Sequence, residues 1–222
     1  MHVTRQCCAR SRLWLHSQVR RLLILRHGQS EWNAEGRWQG WIDVPLTEVG
    51  EAQARARGEA LAADGVDVTT VFASDLQRAR RTAELVAETI GGAIVVDERL
   101  RERHGGDWQG HTAAEIDELW PGAREQWRRR ELPSPPGAES DEAVLTRFDA
   151  ALADVINATD SASEAVIVTH GGMLRLVAGR AGVTAANVVE NVGGHWFRWD
   201  GARLVPDDPL PSLRTDGVTA LE

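Results

Sequence analysis

Arg21-Leu22-Leu23-Ile24-Leu25-Arg26-His27-Gly28 is a short apolar run that stops at a histidine and a glycine. The same design returns as Ala165-Val166-Ile167-Val168-Thr169-His170-Gly171-Gly172. A continuous apolar run, without alternation, describes a strand buried on both faces of a parallel sheet. In open α/β sheets ligands bind beyond the carboxyl ends of the strands. Two such strands lying side by side would therefore deliver His27 and His170 into one crevice.

Working outward, a helix is expected over 47–63, with Thr47 as cap, Val49, Ala52, Ala56 and Ala60 as its inward stripe, and Gly65 as its end. Val71-Phe72-Ala73 reads as a buried strand. A helix over 74–90 follows, opened by a Ser74/Gln77 capping box, with Leu76, Ala79, Ala83, Val86 and Ile90 at helical spacing. Ile94-Val95-Val96 is a further strand. Residues 99–140 are irregular and rich in charge, Trp, Gly and Pro, with short helices expected near 112–119 and 123–130. So long an excursion inside one domain suits a lid. A helix over 141–156 turns Val144, Phe148, Ala151 and Val155 inward, and another follows His170 near 173–181. Asp200-Gly201 between two apolar-aromatic runs signals a hairpin. From Pro206 onward the pattern reads as a tail. Strands alternating with helices give an α/β fold, a three-layer sandwich with a mainly parallel central sheet flanked by helices. The organisation expected is a basic, unstructured extension over 1–20, one domain over 21–206 and a tail over 207–222.

Composition narrows the chemistry. The 222 residues suffice for one domain with a substantial core. The net charge of −8 argues against a nucleic-acid footprint. All 25 basic residues are arginine, so Schiff-base and P-loop lysines are excluded and every fixed cation is a guanidinium. Residues 1–21 hold five of those arginines and no acid. The cysteines, Cys7 and Cys8, are adjacent, so they cannot staple the fold, and their use suits a reducing cytoplasm. No apolar run approaches the roughly 18 residues of a membrane helix, so no membrane partner is expected.

His27 stands at a strand end between Arg26 and Gly28, and Gly28 allows a ligand or backbone to come close. Arg78 falls near a helix start, where the helix dipole favours anions over cations. An arginine there makes sense if it faces an anionic ligand, since guanidinium forks match phosphate bidentately. Arg80 and Arg81, in contrast, read as solvated. Two histidines, arginines and helix N-termini aimed at one crevice describe an oxyanion or phosphate site. His27, His170 and a carboxylate could instead form a metal triad, but Arg26 beside His27 would repel the cation. Neither a metal nor a cofactor is expected.

Leu25-Arg26-His27-Gly28-Gln29-Ser30-Glu31-Trp32-Asn33 resembles the signature of the histidine phosphatase, or phosphoglycerate-mutase-like, superfamily (branch 1). Further motifs of that family stand in order: Asp43-Val44-Pro45-Leu46-Thr47, Ser74-Asp75-Leu76-Gln77-Arg78-Ala79, Leu100-Arg101-Glu102, Gly106-Asp107-Trp108-Gln109-Gly110, Gly137-Ala138-Glu139-Ser140 and Thr169-His170-Gly171-Gly172. The resemblance implies the phosphoglycerate-mutase-like fold and a phosphohistidine mechanism. His27 would attack phosphorus. Arg26, Arg78 and His170 would clamp the phosphoryl oxygens. Glu102 would protonate the leaving group and then activate water. It also implies that Asn33, Gln39, Gly40, Arg103 and Gly171 contact a small phosphorylated metabolite, and it makes a homodimer an expectation.

The same core serves phosphatases and cofactor-dependent phosphoglycerate mutases. Glu102-Arg103-His104 and Gln126-Trp127-Arg128-Arg129 resemble the mutases. The mutases carry a lysine after Gln-Gly, a longer insertion before the second histidine and asparagine after His-Gly. This chain has no lysine, a short path from Pro136 to His170, and Gly172. Gly106 onward and Ala138-Glu139-Ser140 look more like small actinobacterial phosphatases, a group that includes glucosyl-3-phosphoglycerate phosphatases. A phosphatase is therefore expected, with a mutase as the alternative. An interaction protein of weak activity is an alternative of another class, against which stand the retained His27, Arg26, Arg78, Glu102 and His170. Trp32, Trp38, Trp41 and Trp108 are expected as packing or as a wall for the leaving group.

Overall fold

The computed structural model describes residues 20–66, 68–160, 163–183 and 189–213. The expected extension, except Arg20, and the last nine residues of the expected tail lie outside the described residues. The strands are β1 (Arg20–Arg26), β2 (Thr70–Ala73), β3 (Ala93–Val96), β4 (Glu164–Thr169), β5 (Gly194–Trp199) and β6 (Leu204–Pro209). The helices are α1 (Glu31–Ala34), α2 (Glu48–Ala63), α3 (Gln77–Ile90), α4 (Ala113–Leu119), α5 (Ala123–Arg128), α6 (Asp141–Ala158) and α7 (Gly171–Arg180). They form an α/β sandwich around a six-stranded sheet of order β3-β2-β4-β1-β5-β6. The β3-β2-β4-β1 portion is parallel, and β5 and β6 are antiparallel additions.

The two apolar runs are the central neighbours β1 and β4, buried on both faces as their composition requires. Leu22 and Ile24 join Ala165 and Ile167 on the side of α6 and α7, against Val144, Phe148, Met173 and Leu174. Leu23 and Leu25 join Val166 and Val168 on the side of α2 and α3, against Leu61, Ala79, Ala83 and Val86. One residue of register slip would exchange the two sets, so the pairing Leu25↔Val168 is fixed by both cores at once.

Four expectations need correction. The inward face of α2 is Gly50, Ala54, Arg57, Gly58 and Leu61, while Val49 is exposed. Close approach, not hydrophobicity, selects that face. A Cβ on Gly50 would lie 2.0 Å from the Gln29 carbonyl oxygen, and one on Gly28 would lie 2.4 Å from the Gly50 oxygen. Next, Ser74 does not open α3 with a capping box. Its N–H extends the sheet to the Val168 carbonyl, the helix starts at Gln77, and its own cap residue, Leu76, offers no side-chain bond. Asp43 caps it from a distance, taking the Gln77 N–H on Oδ1 at 2.7 Å. The tail begins later than expected. β6 runs to Pro209, Leu210 and Leu213 pack against the core, and the Pro211 carbonyl accepts from Arg57 Nη2 at 3.0 Å. Proline is tolerated there because β6 is an edge strand. The helix after His170 also begins earlier than expected, at Gly171, with His170 as its cap position.

The sheet has two unlike edges. β6 carries Pro206 and Pro209 beside Asp207 and Asp208. β3 is Ala-Ile-Val-Val, with Val95 43% and Val96 45% exposed. Among the described residues no helix is long and apolar enough to cross a membrane.

Candidate active site

Arg26 pairs with Thr169 across β1 and β4, so the next residues along, His27 and His170, leave the sheet together. Their rings meet edge to face at 5.1 Å between centroids. β2 ends beside them and leads through Ser74 into α3, which carries Arg78. β3 ends farther out and leads through the single 3₁₀ turn Glu98–Leu100 to Glu102. The five residues that the motifs single out thus stand beyond the carboxyl ends of four parallel strands, the ligand side of such a sheet.

His27 is buried, and its Nδ1 lies 2.6 Å from the Gly28 carbonyl oxygen. A carbonyl can only accept, so Nδ1 holds the proton and Nε2 keeps its lone pair. Burial, then the Arg78 and Arg26 charges, hold the His27 pKa well below its usual 6.5. His170 is fully buried and neither ring nitrogen has a partner. Its pKa is also driven well down, by burial first and then by Arg78, His27, Arg147 and Arg26.

The arginines are anchored at one end and open at the other. Arg78, fully buried, donates from Nη1 to the Ile42 carbonyl at 2.9 Å and from Nη2 to the Gly40 carbonyl at 2.8 Å. Arg26 donates from Nη1 to the Val189 carbonyl at 2.5 Å. The Nε of each is buried without a partner. Burial lowers the Arg78 pKa to about 10, with Glu102 and Asp43 opposing, and burial lowers that of Arg26. Desolvated cations and orphaned donors around a neutral histidine suit a dianion, which would supply the missing acceptors.

The Glu102 carboxylate rests on the N-terminus of α7. Oε2 accepts from Gly172 N at 2.8 Å, and Oε1 accepts from Met173 N at 3.0 Å and Arg103 N at 2.9 Å. That seat fixes the direction of both oxygens, and it exists because residue 172 is glycine. A Cβ there would stand 2.4 Å from Glu102 Oε1.

The remaining expected residues fall into place unevenly. Asn33 spends its Oδ1 on Ser30 and Asn191, which leaves its Nδ2 as the donor for a ligand. Gln39 accepts from Ser30 Oγ at 2.8 Å. Gly40 serves through its carbonyl, as the anchor of Arg78. Gly171 begins α7 against Arg26, whose Nε would lie 3.3 Å from an added Cβ. Arg103 turns its Nη2 to Asp141, and its buried Nη1 has no partner. Arg128 and Arg129 pair with Glu125 and are largely exposed.

Comparison with known proteins agrees with this geometry. The family described as histidine phosphatase superfamily (branch 1) matches residues 22–194. The chain belongs to the histidine phosphatase superfamily. It is similar to a glucosyl-3-phosphoglycerate phosphatase of Mycolicibacterium vanbaalenii, 37% identical over 202 residues that cover 86% of this chain and 89% of the relative. A 2,3-bisphosphoglycerate-dependent phosphoglycerate mutase of Methylobacterium is 38% identical over 71% of this chain and 78% of its own. Among solved structures, mycobacterial glucosyl-3-phosphoglycerate phosphatase in complex with VO3 superposes with a TM-score of 0.72 at 37% identity, covering 85% of this chain and 97% of the other.

Within this superfamily site, several contributors carried no signal in the motifs. Asn191 donates to the His27 carbonyl at 3.2 Å, and Val192, at φ 52°, reaches the same oxygen through its N–H. No motif quoted above includes Glu190-Asn191-Val192-Gly193. Of the tryptophans, Trp108 is buried against Trp38 and Trp127, which is packing. Trp41 is exposed, and its Nε1 holds the Glu102 carbonyl at 2.6 Å.

Proposed function

We propose that this chain is a phosphomonoesterase acting through a phosphohistidine on small metabolites of the sugar-phosphate or phosphoglycerate kind. The observation that carries the reading is His27: neutral, with Nδ1 committed to Gly28 and Nε2 free, among the unpartnered nitrogens of Arg26, Arg78 and His170. In the first step the Nε2 lone pair forms a bond to phosphorus as the ester P–O bond breaks. The Glu102 carboxyl gives its proton to the departing alkoxide. Arg26, Arg78 and His170 hold the three phosphoryl oxygens as charge spreads over them. In the second step the Glu102 carboxylate takes a proton from water, the oxygen attacks phosphorus, and the P–N electron pair returns to Nε2. Arg103, with its free Nη1, and Asn33, with its free Nδ2, are the substrate contacts in this reading; Gln39, Gly40 and Gly171 shape the pocket around them. Neither metal nor cofactor enters the scheme.

The mycobacterial relatives support a glucosyl ester of 3-phosphoglycerate as the first substrate to try. The mutase relatives support a second reading, in which the phosphohistidine returns its phosphoryl group to an organic acceptor. Gly172 and the absence of lysine favour hydrolysis. We further place the protein in the cytoplasm, as a homodimer, with neither nucleic acid nor membrane as partner.

The test incubates the enzyme with 3-phosphoglycerate, its glucosyl ester and a panel of sugar phosphates, and follows inorganic phosphate and 2-phosphoglycerate together. Phosphate with little isomer is the expected result. Isomer with little phosphate would replace this reading by the mutase.

A further inference from the structure

Arg147 lies on α6 and belongs to none of the motifs quoted above, yet all five of its N–H donors are committed. Nε and one Nη2 hydrogen go to Glu139 Oε1 and Oε2, each at 3.0 Å. Nη1 donates to the Arg99 carbonyl at 2.8 Å and the Arg101 carbonyl at 2.6 Å, and Nη2 donates to the Glu102 carbonyl at 2.8 Å. The carbonyl this leaves out, Leu100, accepts from Thr169 Oγ1 at 2.7 Å, one residue before His170. Four consecutive carbonyls leading into Glu102 are thus fixed, three of them by one side chain.

We propose that Arg147 is a positioning residue for Glu102, locking the backbone of 99–102 so that the carboxyl group meets the leaving oxygen. This rests on Glu102 acting as the proton donor. A strand end followed by a single 3₁₀ turn is a loose platform for an acid that must stand within hydrogen-bond reach of one oxygen. The guanidinium supplies the missing rigidity because it is a planar fork with five donors in fixed directions. Glu139 orients the fork and also ties in the second residue beyond Glu102, taking the His104 N–H at 2.7 Å on Oε2. A lysine would keep the charge near His170 and lose the fork, so Arg147→Lys separates geometry from electrostatics.

The test compares the wild type with Arg147→Lys, Glu139→Gln, Glu102→Gln and the Arg147→Lys/Glu102→Gln double variant. Each is mixed in single turnover with 3-phosphoglycerate, whose alkoxide needs a proton, and with p-nitrophenyl phosphate, whose phenolate leaves without one. Arg147→Lys is expected to slow alkyl-ester cleavage about 10- to 100-fold and to leave the single-turnover release of p-nitrophenolate unchanged. The double variant is expected to be no slower than Glu102→Gln alone, since both changes remove one function. Glu139→Gln gives the same selectivity at smaller size, and carries the test if Arg147→Lys does not fold. Equal losses on both esters, multiplying losses in the double variant, or an unimpaired alkyl-ester rate would overturn the proposal. If Glu102→Gln itself cleaves the alkyl ester at the wild-type rate, the assignment of the acid falls, and this proposal with it.

Discussion

His27 and His170 are kept neutral by burial and by the arginines around them, and both consequences can be measured. Their folded pKa values lie below the unfolded value near 6.5, so below that pH the unfolded chain binds more protons than the folded one. Stability is therefore undiminished above pH 6.5 and falls as the pH drops toward the folded values, each histidine contributing up to about 1.4 kcal/mol per pH unit. Denaturant titrations at pH 7.5 and 5.5 should show the loss, and His170→Asn should shallow it. An equal slope in that variant would mean the ring is charged in the fold. Replacing the nucleophile, His27→Ala, should lower phosphate release by more than about 10³-fold, and normal release would remove it from the mechanism. Gly172→Ala is a finer probe. The new methyl group collides with the Glu102 carboxylate, the end of a flexible side chain, so the fold survives while the acid shifts. Hydrolysis of alkyl phosphates should slow by about tenfold or more with an unchanged melting temperature. An unaltered rate would show that the acid works from some other seat.

At the scale of elements, the departures from expectation share one cause. β1 and β4 were legible as unbroken apolar runs and α6 by its helical apolar spacing, and pattern reading detects both. The face of α2 was misjudged because it is chosen by how near Gln29 can approach Gly50, which no apolar count registers. The start of α3 was misplaced because its cap comes from Asp43, in another segment, while Ser74 belongs to the sheet. The motifs brought together His27, Arg26, Arg78, Glu102 and His170. The supports of those residues, Asn191, Val192 and Arg147, donate to main-chain carbonyls, and a sequence does not show which carbonyls are left to be held. The borrowed cap yields a prediction. Asp43→Ala leaves the first turn of α3 without its acceptor, which should cost about 0.5–2 kcal/mol and weaken phosphate inhibition, since Arg78 stands in that turn. Stability and the inhibition constant of the variant test both halves, and an unchanged inhibition constant would detach the cap from the anion site.

The whole molecule is a sheet with one finished border and one unfinished border. Proline at two positions of β6 removes N–H donors, and Asp207 and Asp208 add charge, so that border resists pairing. β3 has neither device and exposes Val95 and Val96. If a homodimer forms there, Val95→Lys should bring the sedimentation coefficient to that of a monomer and leave the turnover per chain alone, because β2 and β4 separate β3 from β1, the strand that leads into His27. A dimer that persists would place the contact elsewhere. The asymmetry also limits how far association can go. A particle with a single adhesive border has a valence of one: it can find a mate, and the pair then offers nothing to a third. If β3 is that border, raising the concentration would fill the pairs without lengthening them, and an open strand would persist without turning the protein into a fibre.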